Sequence, residues 1–233
     1  MAERTNTTKI QSNRLTRWAI LVTSVLITIC PIHATNAAAD EPLQRYNYKI
    51  HDSLYGDIGS YSNTVVRSGK TTTVATEAHI KVTFLGVTLY RQEVSRTERW
   101  VSDRFVSFHG VTVENGKTTE INGWVEADHF IVSSPIGKFS APSTIRSANP
   151  WFAATTGGDT ILMPDTGLID KMHTSGGDEI TIKIDGAPKR VSKYQIETEI
   201  SREQYQVWID DSGTPVMFNI KDHDGTDTFT LIR

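Results

Sequence analysis

The sequence predicts a mainly β protein: an antiparallel meander forming a strongly curved sheet or barrel, with one irregular, short-helix insertion. Three observations carry that prediction. Apolar residues recur at every second position from Arg45 onward, turn-forming segments separate the runs, and no apolar stripe of period 3.6 persists. Tyr46, Tyr48 and Ile50 alternate with Asn47 and Lys49, and Ile80, Val82 and Phe84 alternate with His79, Lys81 and Thr83. The rhythm returns in Ile180, Ile182 and Ile184, in Tyr205, Val207 and Ile209, and in Val216, Phe218 and Ile220. Successive strand side chains point to opposite faces, so each run has a core face and a wetter face.

The connectors have hairpin chemistry. Asn115-Gly116 separates Val111 and Val113 from Ile121, and both turn positions tolerate positive φ. Asp185-Gly-Ala-Pro188, Asp211-Ser-Gly213 and Asp222-His-Asp-Gly225 supply further turns. Connections this short require antiparallel pairing, because a parallel crossover needs a dozen or more residues. So many strands do not suit a flat sheet, hence the expected curvature.

Alternation fails over residues 141–178, where Pro142, Pro150, Pro164, Gly157-Gly158, Gly167 and Gly176-Gly177 accumulate. Asn149-Pro150-Trp151-Phe152 reads as the opening of a short helix, with Asn149 as N-cap and Pro150 at the first helical position. A long irregular insertion in a β domain serves as a lid, a plug or a cover over a sheet edge, and a structural cover is the expectation here.

The first 39 residues read as a secretory signal peptide. Lys9, Arg14 and Arg17 precede the uncharged apolar run Trp18–Cys30, Pro31 breaks it, and Ala34–Ala39 offers small residues to a peptidase. The run is shorter than the ~20 residues of a membrane-spanning helix. Residues 40–233 then form a single antiparallel β domain in the periplasm or outside the cell, without a transmembrane span. Cys30 is the only cysteine and leaves with the signal, so neither a disulfide nor a thiolate metal site is expected.

Charge narrows the partners. The whole chain carries 24 Lys+Arg against 27 Asp+Glu, a net charge of −3. Taking the segment's four basic residues and one Glu from those totals leaves 20 against 26, a net charge of −6. No basic excess suits nucleic acid.

The runs Tyr46-Asn-Tyr-Lys-Ile50, Gly56-Asp-Ile-Gly59, Ile80-Lys-Val-Thr-Phe84, Glu98-Arg-Trp100 and Asn115-Gly-Lys117 share one further property. With Asn149-Pro-Trp151, Val207-Trp-Ile-Asp210, Gly213, Asp224-Gly225 and Phe229-Thr-Leu231, they resemble an uncharacterised bacterial family of exported β-rich proteins, a domain of unknown function. The resemblance spans almost the whole expected mature chain and implies a β-rich exported protein. It carries no established activity, so no catalytic residue transfers. More distantly, a curved antiparallel sheet behind a signal peptide resembles periplasmic lipoprotein carriers with half-open barrels, in architecture alone.

Chemistry is sparse. The nucleophile elbow Gly-x-Ser-x-Gly, His-Glu-x-x-His, Gly-x-Gly-x-x-Gly and a complete phosphate-binding Gly-x-x-x-x-Gly-Lys-Ser/Thr loop are all missing. No catalytic residue, metal ligand or cofactor is therefore assigned, and the balance leans away from an enzyme. His51, His79, His109, His129, His173 and His223 are widely spaced and read as partly buried strand residues, with His109 and His129 the first pair to test for a metal. His109 shares parity with Phe105, Val111 and Val113, and His129 with Val125 and Ile131. Asp210-Asp211 and Asp222-His-Asp-Gly225 read as turn formers, since no Glu closes a calcium loop before Arg233. Trp100, Trp124, Trp151 and Phe152 are the aromatic candidates for lining an apolar pocket. The expected function is thus the binding of an apolar or lipid-like molecule in a curved β-sheet. The alternatives are an envelope assembly factor that binds a protein partner through a sheet edge, and a glycan or lipid hydrolase.

Overall fold

The computed structural model describes residues 43–152, 159–221 and 225–232, all of them in the compact unit Ala38–Arg233. The expected signal peptide, Cys30, Gly157-Gly158 and Asp222 to Asp224 lie outside the described residues. The chain first forms β1 (Gln44–Asp52), β2 (Gly56–Ser68), β3 (Thr71–Phe84), β4 (Val87–Val101) and β5 (Arg104–Glu114). Then come β6 (Lys117–Glu126), β7 (His129–Ser134), β8 (Gly137–Pro142), β9 (Arg146–Ser147), a 3-10 turn (Pro150–Phe152) and β10 (Thr160–Leu162). It ends with β11 (Ile169–Ile184), β12 (Ala187–Thr198), β13 (Gln204–Ile209), β14 (Pro215–Lys221) and β15 (Thr226–Ile232). No α-helix occurs among the described residues.

These strands make one 15-stranded sheet in the order β8-β7-β6-β5-β4-β3-β2-β1-β15-β14-β13-β12-β11-β10-β9. Every pairing is antiparallel except that of β9 with β10. The first and last strands pair along Asn47↔Ile232 to Asp52↔Asp227, in the middle of the sheet. Its two edges, β8 and β9, are instead consecutive in sequence, joined by residues 143–145. A flat sheet of 15 strands would hold its edges roughly 65 Å apart. Three linking residues reach at most about 14 Å. The sheet therefore curls back on itself, and it stops short of closing because β8 and β9 do not pair. The expectation of strong curvature holds; a hydrogen-bonded, closed barrel does not form.

The turns follow the sequence chemistry at two tips. Asn115 and Gly116 have φ of 48° and 85°, and Asp185 and Gly186 have φ of 49° and 79°, the paired positive values of a type I′ hairpin. Alternation yields the core where strands are regular: Tyr48 and Ile50 are fully buried on β1. Bulges break it elsewhere. A register shift at Arg99/Trp100 leaves Phe105 and Phe108 both inward on β5, so His109 falls on the outer face with Ser107 and Val111. His109 and His129 are exposed rather than partly buried, and His129 pairs with Glu126 while Phe130 and Val132 point inward. β6 also separates their strands, so this pair does not meet. On β3 the run Ile80, Val82, Phe84 ends in a bulge at Val82/Thr83, and Phe84 is exposed at the hairpin tip.

Apolar side chains gather in three clusters. One joins Trp100, Phe105, Phe108, Ile121, Phe130 and Leu162, which brings β4 to β7 against β10 across the curl. A second joins Tyr48, Ile50, Ile58, Ile196, Val207 and Phe218. A third packs Trp208 and Val216 with Ile180, Ile182 and Ile184. Val207 and Trp208 are chain neighbours that point to opposite faces, so β13 is buried on both sides.

The 141–178 segment is less irregular than its sequence suggests: it supplies β9, β10 and the first ten residues of β11, and the loop before β11 lies against the sheet. Arg96 on β4 forms an ion pair with Asp165 in the loop before β11. A Cβ on Gly167 would sit 2.4 Å from the Ser134 Cβ on β7, so a glycine with φ of +77° lets that loop lie flat on the sheet. β11 starts inside the insertion, where its inward residues are Asp170 and Met172 rather than branched aliphatics. Burial would raise the Asp170 carboxyl, but the backbone N–H groups of Ser201 and Ile200, donating at 2.8 and 2.9 Å, hold it below its ordinary value.

Candidate functional site

The concave face of the curled sheet encloses a cavity of about 590 Å³. Its walls come from both halves of the sheet: Ile58 and Tyr61 on β2, Val82 on β3, Ile196 on β12, Val207 on β13 and Phe229 on β15. Aromatic rings in the wall touch one another: Phe218 stacks on Phe229 at 4.3 Å and Tyr61 meets Phe229 edge-on at 5.6 Å, while the buried Tyr48 backs Phe218 edge-on at 5.3 Å. The Tyr48 hydroxyl donates to the Pro215 carbonyl at 2.7 Å, which satisfies it without drawing water into the wall.

A polar end lies deeper along β4. Val94, Arg96, Glu98 and Trp100 share one parity, so two charged residues alternate with apolar ones on the inward face. Arg96 lines the cavity and pairs with Asp165 in the loop before β11. Glu98 is buried and accepts a hydrogen bond from the Trp100 indole N–H at 3.1 Å. Burial pushes the Glu98 carboxyl up, against the opposing pull of Ser147, Trp100 and Arg96. Beside it, the Asn63 amide donates to the Tyr61 hydroxyl at 2.9 Å and accepts from Thr76; burial pushes Tyr61 up to about 12.

Glu98 makes stability depend on pH in a stated direction. Its folded value lies above the ordinary 4.5, so the folded protein holds the proton more tightly than the unfolded chain. The stability this confers is complete below that ordinary value and is lost as pH rises through the raised one. Glu98→Gln is expected to remove this decline. Melting curves of both proteins, from the ordinary carboxylate range to neutral pH, should show the difference between them shrinking as pH falls. A difference that is constant with pH would sink the assignment.

The four aromatic candidates are not brought together. Trp100 is packed in the first cluster against Phe105, with ring centroids 4.7 Å apart. Trp124 shares parity with Glu120 and Asn122 on the outer face of β6, where the Lys138 ammonium stands 5.2 Å above its ring. Trp151 packs edge-on against Tyr46 at 5.2 Å and Tyr48 at 6.0 Å, behind the cavity wall. Its backbone N–H donates to the Asn149 side-chain oxygen at 3.1 Å, the predicted cap, and Asn149 and Pro150 themselves line the cavity. The Phe152 side chain lies outside the described residues. Tyr61, Arg96, Phe218 and Phe229 line the cavity and were not singled out from sequence. The inward charges on β4 were the available signal.

Other polar clusters are local. Asp210 accepts from the Ser212 and Thr214 N–H groups at 3.0 and 3.1 Å and pairs with Lys189, as a turn former does. His51 pairs with Asp57, His79 with Glu93 and His173 with Glu199. Among the described residues no three of His, Cys, Asp and Glu converge as metal ligands, and none of the residues lining the cavity is a histidine.

Residues 55–232 match the family described as "Domain of unknown function (DUF6134)". The chain belongs to that family. The sequence resemblance to an uncharacterised β-rich family is thereby borne out. None of the curated proteins matches the chain. Among solved structures, one described as a "Beta-barrel-like Protein of Domain of Unknown Function DUF1849 from Brucella abortus" is similar, with a TM-score of 0.63. It shares 11% identity and aligns over 82% of this chain and 96% of its own. At that identity the likeness is one of fold, and a barrel-like fold is what the curled sheet presents.

Proposed function

We propose that this family member is an exported envelope protein that holds an apolar, lipid-like molecule in the concavity of its sheet. The observation that carries the reading is the aromatic and aliphatic cavity. At about 590 Å³ it lies within the roughly 300–1,000 Å³ typical of ligand sites. Export rests on the basic, apolar, small-residue order of residues 1–39. No helix among the described residues is long and apolar enough to cross a membrane.

The test is mass spectrometry of an organic extract of protein purified from an exporting bacterium, paired with titration of a hydrophobic fluorescent dye. Ala78 lines the cavity and is 5% exposed. Ala78→Phe places a ring in the free space and should weaken dye binding about tenfold with little change in melting temperature. The absence of both co-purified lipid and dye binding would count against the reading. A second reading, an assembly factor that recruits a protein strand, is favoured by one observation: β8 is an unpaired edge with Lys138, Phe139 and Ser140 exposed.

A further inference from the structure

The two ends of the curled sheet differ in chemistry. The registers Asp52↔Gly56, Asp52↔Asp227, Phe84↔Val87 and Gln204↔Lys221 put the turns 53–55, 85–86 and 199–203 at the end where the cavity opens. At the opposite end the turns are Gly69-Lys70, Ser102-Asp103, Ala127-Asp128, Asp185-Gly186 and Asp210–Thr214, which have ordinary turn composition. Three turns of the mouth end, 53–55, 85–86 and 199–203, each carry a large exposed apolar residue. Leu85 is 88% exposed, Leu54 64%, Ile200 62%, Val87 61%, Phe84 57% and Leu89 52%. Asn115-Gly116 at the same end is polar, and Ile200 stands among Glu199, Ser201, Arg202 and Glu203. Leu54 and Leu89 also line the cavity, so the exposed rim and the interior are one continuous apolar surface.

Leu85 carries a second, independent signal. Leu85 and Gly86 have φ of 49° and 81°, the geometry that Asn-Gly and Asp-Gly satisfy at the two other tips. A leucine in the left-handed region is strained, and here it is also the most exposed large apolar residue described. Neither folding nor solubility is served by that choice. Directly behind the tip Lys81 and Arg91 face each other across the hairpin, a like-charge pair. Glu93 holds Arg91, whereas among the described residues no carboxylate pairs with Lys81.

We infer that the mouth end docks onto a lipid bilayer, with Leu85, Val87 and Phe84 entering the acyl boundary and Lys81 reaching the phosphate layer. Separate convex tips suit a fluid interface, where each finds apolar surroundings without a complementary partner shape. A basic pair just behind them suits the headgroups. This goes beyond the cavity reading, because docking stands on the tips and their charges whatever the cavity holds.

The test uses the full chain with vesicles of phosphatidylcholine and phosphatidylglycerol. An environment-sensitive dye is placed on Leu85→Cys, or on Lys70→Cys at the opposite end, each in a Cys30→Ser background. Blue-shifted emission on vesicles at position 85 and none at position 70 is the expected result. A shift at neither position, or equal shifts at both, overturns docking through this end. The unlabelled double variant Leu85→Asn, Val87→Thr should lower vesicle partitioning at least about tenfold. Its melting temperature should hold or rise, because Asn relieves the left-handed turn. Unchanged partitioning, a lowered melting temperature, or a concentration-dependent dimer that the double variant abolishes would each overturn the inference.

Discussion

Trp100→Ala is expected to destabilise the protein by about 3–5 kcal/mol, the range of large aromatic deletions from packed cores. Trp100 is 3% exposed and leans on Phe105, which in turn stacks on Phe130 at 4.7 Å and 16°. That ring series ties β4, β5 and β7 together, so a void at Trp100 removes dispersion contacts along a line that spans the cluster. The substitution also removes the indole N–H from the buried Glu98 carboxyl, and an unsatisfied buried polar group adds roughly 1–3 kcal/mol. In a domain of this size the melting temperature should fall on the order of 10 °C. Trp100→Phe keeps most of the bulk and loses only the donor, so its cost should be the smaller, polar part. Urea denaturation of both variants separates the two contributions. A Trp100→Ala loss below about 1 kcal/mol, the ordinary effect of a point mutation, would contradict the packing described.

Gly59→Ala should be the most damaging single-methyl change. A Cβ at Gly59 would lie 2.0 Å from the His79 carbonyl oxygen and 3.1 Å from the Ile80 Cα. Both are backbone atoms, so no side chain can rotate away, and β2 must part from β3 around the Gly59↔Ile80 pair. The register shift at Ile50/His51 is next to it, so the strain spreads into the β1–β2 ladder and the neighbouring Ile58. Overpacking of this kind costs about 1–3 kcal/mol, and more where the backbone has to move. Thermal melting gives the magnitude. Hydrogen exchange gives the place: amides of β2 and β3 near the mouth should lose protection while those near Val65 and Val74 keep it. Uniform protection with an unchanged melting temperature would mean that the strands do not approach this closely.

Much of the architecture was legible because it is local. Period-two alternation around Tyr48 and Ile50 reports one buried face, and Asn115-Gly116 and Asp185-Gly186 report type I′ tips through their tolerance of positive φ. The short helix expected from Asn149 and Pro150 does not form: the Asn149 side chain caps the backbone N–H of Trp151, but only a three-residue 3-10 turn follows. Legibility failed where one residue changed the phase. The shift at Arg99/Trp100 turned His109 outward although it shares parity with Phe105. It failed again at Leu85-Gly86, where a type I′ tip carries a leucine that no turn rule selects.

The cavity was the least legible part. Trp100 and Trp124 stand on strands and Trp151 in the 3-10 turn. One became core, one lies on the outer face beneath a lysine, and one backs the cavity wall. Which of these a tryptophan becomes depends on what the curl brings opposite it.

The sequence by itself therefore determined the class, the strands and several of the turns, because each rests on interactions within a few residues. Tertiary structure alone decided three things. β1 pairs with β15, the edges fall at β8 and β9, and the concavity carries Tyr61, Arg96, Phe218 and Phe229. The physical reason is contact range. Alternation says that a residue points inward, but strands far apart in the chain settle what lies opposite it, and no local pattern encodes that pairing.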